Sequence, residues 1–294
     1  MSECCTEKVI NGRVKDRALM GPAHASSAAG FFLLAIALAP DTAFGLFGVV
    51  SFAVVLLTWI NATGASLVPD LDNTNATVIN RLGLLGAALS TIFRASSKII
   101  QKVVKTKKDT SDPDPHRGFW HTFVGAGVLG FLVYLGASTS VDIDMPVIGD
   151  TDSGEIFAFF ISMLMLHLAL AGTMGKTMEK MRKTPVIGEL ASFIVSGATV
   201  GVLFTMLPDD LEYGWLGWSI FAGASIHILG DALTKAGVPL FFPIIGLIRG
   251  KMWWTTRFTT IEASSKGLNA TVTTLSLIVA IPSFFYILNY ITTH

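Results

Sequence analysis

An all-α, polytopic membrane protein is the fold class that the sequence predicts, and three observations carry the prediction. Of 294 residues, 51% are hydrophobic and only 14% charged, against about a quarter charged in an ordinary soluble domain. Apolar windows close to the roughly 20 residues that span a bilayer recur along the chain. Every cation falls on one side of those windows, and the loops on the other side carry acids instead. Together these exclude a soluble globular domain and a disordered chain. Basic and acidic residues balance at 21 each, so there is no bulk electrostatic pull toward nucleic acid.

The windows predict seven spans in a single integral membrane domain, at residues 23–39, 44–60, 121–137, 156–175, 190–207, 215–231 and 268–291. The first reads as a retained span after a tail at 1–21, not as a signal peptide. Lys8, Arg13, Lys15 and Arg17 lead into it, a second span follows almost at once, and no small-residue cleavage site stands between them. With the N-terminus inside, all 21 lysines and arginines fall on the inner side. The outer loops carry acids instead: Asp142, Asp144, Asp150, Asp152 and Glu155, then Asp209, Asp210 and Glu212. That sorting predicts an N-in, C-out orientation. The only cysteines, Cys4 and Cys5, are adjacent, which leaves neither a disulfide framework nor a cysteine zinc site.

Two segments read as neither span nor simple loop. Across 81–108, Leu82, Leu85, Leu89, Ile92, Ile99 and Val103 recur at helical spacing, while Arg94, Lys98, Lys102 and Lys105 form a basic stripe. This is the pattern of a helix lying in an anionic inner leaflet, with calmodulin-like or nucleic-acid binding as the alternative. Residues 238–250 are apolar but broken by Pro239, Pro243 and Gly246, so they read as an interfacial or re-entrant loop.

Polar residues able to ligate a metal gather at span ends. His24 opens the first span, Asp70 and Asp72 follow the second, His116 and His121 enter the third, and His227 and Asp231 close the sixth. Under the predicted topology all lie on the inner face. His227 and Asp231, at i and i+4, share a helix face. Asp70 and Asp72 suit an extended turn whose carboxylates reach one cation. His116 is expected in a turn and His121 on the first helical turn. Imidazoles with carboxylates favour Zn, Mn or Fe(II) over Mg or Ca, and seven candidate ligands leave room for one or two ions. The chemistry such a site supports is water activation with stabilisation of an oxyanion.

Other residues carry weaker signals. His167 lies midway along the fourth span, where an ionisable group is either functional or an interhelical hydrogen-bond partner. Arg117 is a candidate clamp for an anionic group. Glu189 and Glu262 are inner-side acids with nothing to distinguish them as a base, and His294 is terminal.

The strings PDLD, HRGFWH and above all HILGDALTKAGVPLFFP resemble the signature blocks of the membrane-bound metal-dependent hydrolase family, the LexA-regulated inner-membrane hydrolases of bacteria. That family reads approximately LPDIDH, HRGxTHS and SHILxDxLTxxGVPLLWP, with a histidine at its first span. The resemblance covers residues 21 to about 245. It implies metal and catalytic positions at His24, Asp70, Asp72, His116, His121, His227 and Asp231, in a multi-pass protein of the inner (cytoplasmic) membrane. Asn73 stands where the family has a histidine, and Trp120 where it has a small polar residue.

The expected function is metal-dependent hydrolysis of a phosphate ester or related ester in an amphiphilic, lipid-like substrate at the inner face. Zn or Mn is the expected ion, Asp231 or one of Asp70 and Asp72 the proton acceptor, and Arg117 the anion clamp. Membrane lipids are the expected partners, and nucleic acid is not. The rival is a metal-binding or ion-handling membrane protein without turnover, in which His167 forms part of a path.

Overall fold

The computed structural model describes residues 21–47, 51–73, 76, 78–79, 82–109, 117–145, 149–173, 185–209, 211–258 and 266–293. The N-terminal tail with its cysteines, Arg81, His116, Asp210, Glu262 and His294 lie outside them. The described chain is mainly helical, with one hairpin and an isolated antiparallel bridge between Val238 and Thr256. Its helices are α1 (Gly21–Leu38), α2 (Pro40–Phe47), α3 (Phe52–Ala65), α4 (Gly83–Val104), α5 (Phe123–Ala137), α6 (Ser153–Thr173), α7 (Pro185–Phe204), α8 (Trp215–Ala232), α9 (Ile244–Arg249) and α10 (Lys266–Thr293). Single 3-10 turns at Pro69–Asp72 and Phe119–His121 complete them.

Three of the described helices are long and apolar enough to cross a membrane: α3 with its 3-10 continuation, Phe52–Asp72, then Ser153–Thr173 and Asn269–Thr293. A fourth crossing is added if α1 and α2, bent by 105° at their junction, count as one. Pro40 opens α2, and proline disfavours helix at the residue before it. The expected window 44–60 is not one helix. Ser51 is extended, at φ −138 and ψ 136, and α3 starts only after it. That helix then runs past Ile60 because Asn61, Thr63 and Gly64 are buried against neighbouring helices rather than left at a membrane surface.

α3 stands between α6 and α8, with backbone approaching backbone. A Cβ on Gly64 would run into the carbonyl of Met165, and one on Gly223 into that of Ala62. Glycine is the residue that permits such approach in a membrane bundle. Asn61 adds a polar tie, its Nδ2 donating to Ser162 Oγ at 2.9 Å and to Leu57 O at 2.8 Å. α1 lies along α10, α8 along α5 and α6 along α7. The main apolar core joins Phe32, Val54, Leu57, Leu216 and Ile287.

Residues 142–152, expected as a plain acidic loop, form an antiparallel hairpin pairing Asp142–Met145 with Gly149–Asp152. The carboxylate of Asp152 accepts from Ser140 Oγ and from the Gly154 N–H at the start of α6. Those bonds hold it below its ordinary pKa against the opposing effect of burial.

Candidate metal centre

Four elements end at one place. His24 sits in the first turn of α1, Asp70 and Asp72 on the 3-10 turn after α3, His121 on the 3-10 turn before α5, and His227 and Asp231 in the last turns of α8. The proline at the start of PDLD suits the first of these turns. Thr122 caps α5, its Oγ1 accepting from Gly125 N at 2.9 Å. His121 therefore ends the turn ahead of the helix instead of lying on its first turn. His116 is outside the described residues.

The six described candidate ligands are all at most 5% exposed. His24 Nε2 lies 3.5 Å from Asp231 Oδ1. His121 Nε2 lies 3.7 Å from Asp231 Oδ2 and 3.9 Å from Asp70 Oδ1. His227 Nε2 is 3.8 Å from each of those two oxygens. The rings of His24 and His227 stack with centroids 3.8 Å apart, and His121 meets His227 edge-on. The donors group as His24, His227 and Asp231, and as Asp70, His121 and His227.

These separations are too long for hydrogen bonds. They come close to the edge of a tetrahedron with ligand bonds near 2.0–2.2 Å, about 3.4 Å. His24 Nε2, His227 Nε2, Asp70 Oδ1 and both Asp231 oxygens are buried without a hydrogen-bond partner. Unpaired buried groups of this kind are costly. With neutral imidazoles, three buried carboxylates against the Arg117 guanidinium leave an excess of two negative charges, which a divalent cation balances. The residues fit a metal ion.

His227 is oriented from behind. Its Nδ1–H donates to the carbonyl of Ser66 at 2.6 Å, so Nε2 carries the lone pair that faces the cluster. Asp72 takes a different place from Asp70. Its Oδ2 lies 3.6 Å from His121 Nδ1, the nitrogen turned away from the other ligands. The two carboxylates thus approach different nitrogens of one ring, where the expected extended turn would have aimed both at one cation.

Arg117 is less free than an open clamp. Its Nη1 donates to Gly237 O at 2.9 Å and to Thr234 Oγ1 at 3.3 Å, and its Nη2 lies 3.9 Å from Asp231 Oδ2. Thr234 Oγ1 donates to the Asp231 carbonyl at 2.7 Å. Gly237, at φ +66, makes the turn that presents its carbonyl.

No protein family, curated protein or solved structure matched the chain.

The remaining candidates fall elsewhere. His167 Nδ1 pairs with Ser192 Oγ at 3.1 Å between α6 and α7. The carboxylate of Glu189 approaches Gly83 at the start of α4. Trp120 is structural, its Nε1 donating to Phe93 O at 3.0 Å and Ser96 Oγ at 3.1 Å, which binds α4 to the turn bearing His121. Ser66 was not foreseen as a functional residue. A backbone carbonyl contributes through its position, which residue type does not signal.

Proposed function

We propose that this chain is a membrane-embedded, metal-dependent hydrolase that cleaves a phosphate ester or related ester of an amphiphilic substrate at the cytoplasmic face of the inner membrane. The observation that carries the reading is the convergence of three imidazoles and the carboxylates of Asp70 and Asp231, with donor atoms 3.5–3.9 Å apart, in the interior of an apolar bundle. Seven crossings oriented N-in, C-out complete it, supported by the sorting of all 21 cations to one side. The resemblance of PDLD, HRGFWH and HILGDALTKAGVPLFFP to blocks of the membrane-bound metal-dependent hydrolases supports the same chemistry.

The donor set suits Zn or Mn. A single ion is proposed, because both groups of donors need His227 and its Nδ1 is committed to Ser66. A divalent ion held there supplies the charge that acidifies water and stabilises a developing oxyanion. Asp231, facing His24 with one oxygen and His121 and His227 with the other, is the proton acceptor. Asp72 sets the ring of His121 through Nδ1. Arg117, 13% exposed and fixed by Gly237 and Thr234, stands at the rim to receive the anionic group.

Release of inorganic phosphate from a short-chain phosphatidate by the purified, metal-supplemented protein tests the reading. His227→Ala and Asp231→Asn should abolish release without loss of membrane insertion. Equal release by wild type and both variants would overturn it.

A second reading, ion handling without turnover, is favoured by His167. This residue is 2% exposed about two thirds of the way along α6, and its Nε2 has no hydrogen-bond partner. It requires that His167→Ala stop divalent-ion flux into proteoliposomes while leaving the bound ion in place.

A further inference from the structure

Helix α4 packs Leu89, Phe93, Ile100 and Val104 partly against the core and fully buries Gly86, Ser90, Ser97 and Gln101. Gly118 fits against the last two, where a Cβ would collide with both side chains. Its outward face is apolar, with Leu84 89%, Ile92 62%, Ile99 63% and Val103 77% exposed. The short helix α9 repeats the arrangement, burying only Gly246 while Ile244, Leu247 and Ile248 are 64%, 71% and 79% exposed.

The segments that follow the two helices are tied together. Asp109, 4% exposed, accepts from Thr106 N at 2.9 Å, Thr106 Oγ1 at 2.8 Å, Met252 N at 3.2 Å and Trp253 N at 3.3 Å. Thr106 Oγ1 also donates to Gly250 O at 2.8 Å. Cations lie near both apolar faces. Lys98 and Lys102 lie on α4, Lys108 reaches the Arg249 carbonyl at 3.4 Å, and Arg249 stacks over Trp254 at 4.2 Å, beside Lys251.

We propose that α4 and α9 form one rigid footing that seats in an anionic lipid leaflet. Its outward Ile, Leu and Val side chains enter the acyl boundary, and Lys98, Lys102, Lys108, Arg249 and Lys251 lie at the headgroup phosphates. Charge complementarity selects the occupant, since apolar exposure bounded by cations with a tryptophan among them matches an anionic interface. The footing reaches the metal centre through Phe242, stacked on Trp253 at 4.7 Å and edge-on to Phe119, and through Trp120 on α4. Headgroup contact thereby steadies the turn that carries His121. The inference rests on reading the chain as a membrane protein and needs neither a bound metal nor turnover.

The test uses the full chain in nanodiscs of phosphatidylcholine with and without phosphatidylglycerol. A fluorophore on Ile248→Cys or Ile99→Cys, in a Cys4→Ser, Cys5→Ser background, should be quenched by lipids bearing a nitroxide near the headgroup. Retention of phosphatidylglycerol over phosphatidylcholine, read by native mass spectrometry, should fall at least about fivefold when Lys102, Lys108, Arg249 and Lys251 all become Gln. Unquenched labels at both sites would overturn the footing, as would a lipid preference unchanged by the four substitutions. His227→Ala protein must behave as wild type in both readouts, which separates this outcome from the fate of the hydrolase reading.

Discussion

The imidazole of His227 donates through Nδ1 to the backbone carbonyl of Ser66, 2.6 Å away, across the contact between the end of α3 and α8. This one bond selects the tautomer and aims Nε2 at Asp70 and Asp231. Both groups of candidate donors draw on that one nitrogen, which is the ground for proposing a single ion.

Elemental analysis of the detergent-purified protein should therefore find close to one equivalent of Zn or Mn per chain, and His227→Ala should lose it. Two equivalents in the wild type would contradict the assignment of Nδ1 to Ser66.

Asp72 and Asp231 should separate on substitution. Asp72→Ala removes a group that orients His121 and should weaken metal binding by about 10–100-fold, the usual cost of losing such a partner. Asp231→Ala removes the carboxylate shared by three histidines and should leave no measurable site. Competition with a chromophoric chelator reads both. Equal losses would place Asp72 among the ligands themselves.

Backbone contact at Gly64 and Gly223 predicts intolerance of even one methyl group. Gly64→Ala and Gly223→Ala should each cost about 1–3 kcal/mol by overpacking, read as a fall in the thermal midpoint in detergent. Gly45→Ala, where a Cβ meets nothing within 4 Å, should leave the midpoint unchanged or slightly raised.

Asp109 gives a pH dependence with a definite sign. Burial raises its pKa, but the hydrogen bonds from Thr106, Trp253 and Met252 outweigh that and hold it below the ordinary value. A carboxyl depressed on folding contributes stability that is full above its unfolded pKa and lost as pH falls through the folded one. The join between α4 and α9 should thus persist through the ordinary carboxylate range and open only below it. Hydrogen exchange at the Met252 and Trp253 amides reads this, and Asp109→Asn should show fast exchange there even at neutral pH.

The helical fold and the gathering of the ligands were legible in the sequence for a common reason. Apolar helices that pack into one bundle bring their ends together, and His24, Asp70, His121, His227 and Asp231 all lie at or beside helix ends. Element boundaries were less legible. A window of hydropathy does not register that Ser51 is extended or that Pro40 begins a new direction, so 44–60 reads as one span where the chain makes two helices. Nor does it register that Asn61 and Gly64 belong inside the bundle, because their suitability depends on Ser162 and Met165, a hundred residues along. The engagement of Arg117 by Gly237 was hidden for the same reason, since its acceptor is a carbonyl placed by a turn of positive φ.

α3 touches α6 and α8 at the level of bare backbone on both sides, at Gly64 and at Gly223. At those two points no side chain stands between the backbones to repack as one helix slides or rolls past the other. Those two points resist any sliding of α3 along its neighbours, and so fix the height of the turn that carries Asp70 and Asp72 at its end.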